Sequence, residues 1–167
     1  MSNVDVPALK KYIDETPGDF EWTSDLHSRT PLPPQFNQTY FVAQGFRKAV
    51  AEAKAKGDLE LGRDTVLLQS TMYNGTIVFN STRVGKLRGT DANDFTKAEI
   101  EGRKQAMSLA VFMKKYVPGF ADAYVSSTGV QIGVRESRHI VGDYLLQQDD
   151  VVEGRRFHDV VARGFFP

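Results

Sequence analysis

The chain has 167 residues, 41% hydrophobic and 25% charged, which fits one soluble globular domain and excludes disorder of the whole. Its 21 Lys+Arg balance 21 Asp+Glu, so no net positive field draws it to nucleic acid or to an anionic membrane. The absence of cysteine excludes disulfides, thiolate nucleophiles, zinc ribbons and iron–sulfur clusters.

No apolar run reaches the roughly 18 residues of a membrane span, and MSNVDVPALKK lacks a signal-peptide pattern, so a cytoplasmic location is expected. Asp5 followed by Val6, Pro7, Leu9 and Ile13 predicts a short helix, with Asp5 as its cap and Pro7 in the first turn. Thr16-Pro17-Gly18 ends it. From there to Pro34 no period is sustained and three of the seven prolines occur, which predicts an irregular lead anchored by Trp22. Residues 1–36 thus read as a lead, and 37–167 as the main domain.

Tyr40, Phe41 and Val42 form a short strand or helix lead-in. Phe46, Val50 and Ala53 then recur at helical spacing, predicting a helix near 44–56 with Gly57 as its C-terminal stop. Thr65–Thr71 and Thr76–Val84 are β-rich and flank Asn74-Gly75, a hairpin signal. Thr96-Lys97-Ala98-Glu99 matches a capping box, with Phe95 and Ile100 as a hydrophobic staple, and predicts a helix over 97–117. Its apolar stripe is read as Ile100, Met107 and Val111 beside Leu109, Phe112 and Tyr116, and Pro118-Gly119 stops it. Val130, Ile132 and Val134 alternate with Gln131, Gly133 and Arg135, predicting a third strand within 123–135. A further short helix is expected near Phe157–Ala162. The fold class expected is α+β, an antiparallel sheet from 65–71, 76–84 and 123–135 packed on the two longer helices.

No GxGxxG, P-loop or GxSxG is present, and His27, His139 and His158 are too scattered to make a metal site. The densest chemistry lies in Gly133-Val134-Arg135-Glu136-Ser137-Arg138-His139-Ile140-Val141-Gly142-Asp143-Tyr144. Arginine offers a planar fork of donors to carboxylate or phosphate, and glycine admits close approach. The same residues also read as an ion pair at a sheet edge, of Arg135 or Arg138 with Glu136.

That run, with the later Asp149-Asp150-Val151, Gly154-Arg155-Arg156-Phe157 and Ala162-Arg163-Gly164-Phe165-Phe166-Pro167, resembles a segment of a bacterial family of FAD-dependent oxidoreductases. Asn80-Ser81-Thr82-Arg83-Val84, Gly89-Thr90-Asp91, Ala98-Glu99-Ile100-Glu101-Gly102-Arg103 and Val117-Pro118-Gly119-Phe120 occur in the same order. The resemblance covers roughly 38–167. It implies a two-part flavoenzyme, in which a Rossmann-type part holds FAD and an inserted antiparallel-sheet domain covers the flavin and shapes the substrate side. The chain would be that inserted domain, a fragment inactive alone, with the FAD-binding domain of the same polypeptide and a small-molecule substrate as partners. The abrupt apolar end at Phe165-Phe166-Pro167 agrees with a cut, and the uncovered interface implies self-association. The residues expected to face substrate or flavin are Arg135, Glu136, Ser137 and Arg138, with Asn80 and Arg83 beside them. The alternative is a free-standing binding or interaction domain with an arginine-rich anion site and no redox chemistry.

Overall fold

In a computed structural model the described residues are 1–27, 39–162 and 164. They divide into two units, Met1–Glu136 and Ser137–Pro167. The first is α+β. Strands β1 (Phe20–His27), β2 (Thr39–Gly45), β3 (Val66–Ser70) and β4 (Ile77–Phe79) form one sheet in the order β1-β2-β3-β4, antiparallel throughout. Helices α1 (Val6–Glu15), α2 (Arg47–Ala55) and α3 (Ala92–Tyr116) share its core.

Strand period 2 sends Phe41, Ala43, Val66, Leu68 and Ile77 inward, where they meet Leu9 and Ile13 of α1, Val50 and Ala53 of α2, and Leu109, Phe112 and Met113 of α3. As expected, Asp5 caps α1 by accepting from Ala8 N–H, and Phe46, Val50 and Ala53 form the buried face at α2. Gly57 follows α2 at φ +75°, and Gly75 takes φ +70° in the β3–β4 turn, conformations glycine adopts without steric cost.

Several expectations change. The lead after Gly18 contains β1, whose residues 21–25 are exposed, and Trp22 is 45% exposed rather than an anchor. An edge strand with a polar sequence carries no alternation to read. The β run expected to reach Val84 stops at Phe79, because Ser81 Oγ takes over the pairing by accepting from Leu67 N–H and donating to Leu67 O.

The 97–117 helix starts at Ala92 instead, where the Asp91 carboxylate accepts from the N–H groups of Asn93 and Asp94. Thr96 therefore lies inside the helix and its hydroxyl donates to Ala92 O. The apolar stripe is also rotated. Ile100, Met107 and Val111 are 53%, 55% and 57% exposed, while Ala98, Gln105, Leu109 and Phe112 are buried. Two residues advance a helix by about 200°, so a face begun at Ala98 is opposite to one begun at Ile100.

Finally, no strand forms over 123–135 beyond a single bridge between Ser2 and Tyr124. Residues 28–38 and the closing aromatics Phe165 and Phe166 lie outside the described residues. No described helix is long and apolar enough to cross a membrane.

In the second unit the helix expected near 157–162 is absent, and α4 (Gln148–Val152) forms instead. Its carboxylate Asp150 accepts from Tyr144 OH at 2.6 Å, from Gln147 N–H at 2.8 Å and from Arg155 at 3.0 Å. Arg155 also lies over the Phe157 ring, which meets Tyr144 edge-on. These bonds, that of Tyr144 foremost, hold the Asp150 carboxyl below the usual carboxylate range. A depressed folded value gives stability that is complete above the unfolded value of about 4 and is lost as pH falls through the folded one. Amide protection over 144–157, taken against the intrinsic exchange rate at each pH, should therefore stay constant from about pH 7 to 5 and fall only below about pH 4. Tyr144→Phe should move that loss to higher pH, and coincident profiles for the two proteins would contradict this role of Asp150.

Candidate functional site

The residues expected at the site occupy three places in the described structure. Asn80 and Arg83 lie just beyond β4, in a segment tied to the buried Gln105 of α3. Gln105 Oε1 accepts from Arg83 N–H at 2.9 Å, and its Nε2 donates to Arg83 O at 3.1 Å and to Glu101 Oε1 at 2.9 Å. One buried amide thus replaces a strand partner for Arg83 and satisfies its own polar atoms. Gly62 lies against the same carbonyl: a Cβ there would come within 2.9 Å of Arg83 O. The Asn80 N–H donates to Leu67 O at 3.0 Å, so its backbone continues the β3–β4 pairing.

Arg135 and Glu136 end a segment laid along α3. Ile132 N–H donates to Glu99 Oε1 at 2.8 Å, and Arg103 donates to Thr128 Oγ1 at 3.0 Å and to Val130 O at 3.2 Å. A Cβ on Gly89 would come within 2.7 Å of Val134 Cγ1 and 2.9 Å of Glu136 O, so only glycine lets this segment lie so close. Ser137 and Arg138 belong to the second unit, where both are exposed. The four residues of the Arg-Glu-Ser-Arg run are therefore split between the two units.

The residues that do the positioning, Glu99, Arg103, Gln105 and Gly89, were not among the site residues expected from the sequence. Their signals were present: Glu99 and Arg103 stand at i and i+4 and pair at 3.5 Å, and a glutamine sits among the buried positions of α3. With the main chain held in this way, Arg83 and Arg135 are left exposed, and neither guanidinium has an ion pair among the described residues. Each is a free fork of N–H donors, able to take a carboxylate or phosphate in two parallel hydrogen bonds.

The donor set does not fit the pyrophosphate of FAD. A dinucleotide needs backbone N–H groups at a helix N-terminus reached through a glycine-rich turn after a parallel strand. Here the described sheet is wholly antiparallel. Each longer helix also starts against a carboxylate: Asp5 at α1, Asp91 at α3, and Asp19 at α2, where Oδ1 accepts from Lys48 N–H at 2.9 Å. Those carboxylates occupy the donors and repel a phosphate.

Comparison with known proteins bears on the whole chain rather than on these residues singly. Searches of the curated proteins and of the solved structures found no match. The family model described as FAD dependent oxidoreductase matches residues 1–167, which includes the first 36 residues that the resemblance read from the sequence had left out. With that match running from end to end, through the Arg83 and Arg135 segments and the helix that positions them, the chain belongs to the FAD dependent oxidoreductase family.

Proposed function

We propose that this chain is the substrate-side part of a flavin-dependent oxidoreductase, lying over a flavin held by an FAD-binding part of the same polypeptide and inactive alone. The observation that carries the reading is a contrast. A chain matched throughout by a flavoenzyme family has, among its described residues, an antiparallel sheet and carboxylate-capped helices in place of a pyrophosphate cradle. The redox chemistry belongs to the flavin, and the task left to these residues is to bind and orient a small substrate. Arg135 and Arg83 are the groups proposed to receive an anionic part of substrate or flavin, with Asn80, Glu136, Ser137 and Arg138 near them in sequence. Residues 37–167 would form this substrate-side domain, with 1–36 as its lead.

The test begins with colour. Purified alone, the chain should be colourless, and titrating it into FAD should give no saturable quenching of flavin fluorescence. A yellow preparation near one flavin per chain would overturn the proposal. A longer polypeptide that carries this chain and binds no flavin would also overturn it and would favour a free-standing anion-binding domain.

A further inference from the structure

Asn74 and Gly75 are the two central residues of the β3–β4 turn, which closes through Thr76 N–H donating to Tyr73 O at 3.3 Å. Asn74 is exposed, and Gly75 stands at φ +70°. Asparagine is chemically labile because the main-chain nitrogen that follows it can attack its side-chain amide carbon. The attack is easiest where that nitrogen is not hydrogen-bonded and belongs to a small residue. The Gly75 N–H donates to no group among the described residues. Nothing crowds it either, since even an added Cβ would meet its nearest neighbour, Val4 O, only at 3.4 Å.

The other described asparagines lack this combination. After Asn3 the Val4 N–H donates to Gly75 O at 3.0 Å, and the branched valine side chain crowds the nitrogen. After Asn93 the Asp94 N–H donates to Asp91 Oδ1 at 3.1 Å, within the first turn of α3. After Asn80 comes Ser81, which is buried. Structure therefore separates Asn74 from the rest, beyond residue type.

We propose that Asn74 is a site of spontaneous deamidation, and that the product loosens the hold of the N-terminal residues on the sheet. Gly75 N bonds to Asn74 Cγ as the Cγ–Nδ2 bond breaks, and ammonia leaves with the proton of the Gly75 N–H. The five-membered imide so formed takes up water. Opening at Cγ gives aspartate, whereas opening at the main-chain carbonyl gives isoaspartate, in which the backbone runs through Cβ and Cγ. One water is consumed, one ammonia is released, and nothing is oxidised or reduced. Isoaspartate adds a methylene to the turn just before Gly75. The Gly75 carbonyl accepts from Val4 N–H, and the Ile77 N–H two residues on donates to Met1 O at 2.9 Å. The lengthened turn shifts both partners, so a change at one exposed side chain reaches the bonds that join the N-terminus to β4.

Incubating the folded chain at mildly alkaline pH, with peptide mapping that separates aspartate from isoaspartate, tests the reaction. Residue 74 should convert first, mostly to isoaspartate, at a rate that rises with pH because the attacking nitrogen must lose its proton. Asn74→Gln should abolish the conversion, since its longer side chain closes a six-membered ring far more slowly. Conversion at residue 74 no faster than at Asn3, Asn80 and Asn93 would overturn the proposal, and so would conversion seen only in urea. Hydrogen–deuterium exchange tests the consequence: at the amides of Val4 and Ile77 it should run about tenfold faster in the isoaspartate form than in the unmodified chain. Equal rates for the two forms would overturn the link to the N-terminal residues.

Discussion

Gly119→Ala should destabilise the first unit by about 3 kcal/mol, one of the larger single-residue effects available in this chain. Gly119 sits at φ +91°, a conformation that costs an L-residue about 1–2 kcal/mol. A Cβ there would stand 2.5 Å from Asp5 O and 3.2 Å from Leu9 N. The neighbour is backbone on both counts, so no side chain can swing aside. The Gly119 carbonyl also accepts from Asp5 N–H at 2.9 Å, and Asp5 is the residue that caps α1. The strain therefore reaches the start of one helix from the turn that ends another. Urea unfolding followed by circular dichroism should show a lower midpoint with an unchanged slope. Gly18→Ala, where an added Cβ meets nothing within 4 Å, serves as the comparison and should move the midpoint little. Equal midpoints for the two variants would contradict the argument.

Arg135→Ala, made in the longer polypeptide, should lower kcat/KM by about 10- to 100-fold, since a charge-assisted hydrogen bond contributes about 1.5–3 kcal/mol and each 1.4 kcal/mol is tenfold. The same substitution in this chain alone should leave its urea midpoint unchanged, because the side chain is exposed and pairs with nothing among the described residues. Arg103→Ala should behave in the opposite sense. Its guanidinium holds Thr128 and Val130, so its loss frees the segment that carries Arg135 and speeds amide exchange there even in the isolated chain. Normal turnover with a lowered midpoint for Arg135→Ala would assign that residue to structure and remove it from the proposed site.

The parts of the fold legible in the sequence are those decided within a few residues. Asp5 caps α1 three residues away, Phe46, Val50 and Ala53 share one face at α2 by period alone, and Asn74-Gly75 turns a chain whose two flanks pair with each other. Illegible parts depend on partners distant in sequence. β1 is exposed over residues 21–25 and owes its existence to the ladder with β2, not to any alternation of its own. The alternation over 130–134 announced a strand, but Glu99 and Arg103, about thirty residues earlier, hold that segment with side chains in place of a ladder. The candidate site divides in the same way. Its arginines were visible as residue types, whereas Gln105 acts on Arg83 across 22 positions, a pairing no local spacing encodes.

The order β1-β2-β3-β4 joins only strands that follow one another in the chain, so the sheet can form through short-range closures alone. The free edge of that sheet is met instead by the first four residues, across long stretches of chain. Met1 exchanges bonds with Ile77 on the free edge of β4, Ser2 bridges Tyr124, and Val4 N–H donates to Gly75 O. This segment is a clasp that can close only after both the hairpin and the end of α3 are in position. No helix or strand need melt when it is released. Its opening would bare the main chain of β4 and take Val4 out of the core and Met1 away from it. Brief excursions of residues 1–4 are thus a route by which the folded unit could expose an unpaired sheet edge to its surroundings.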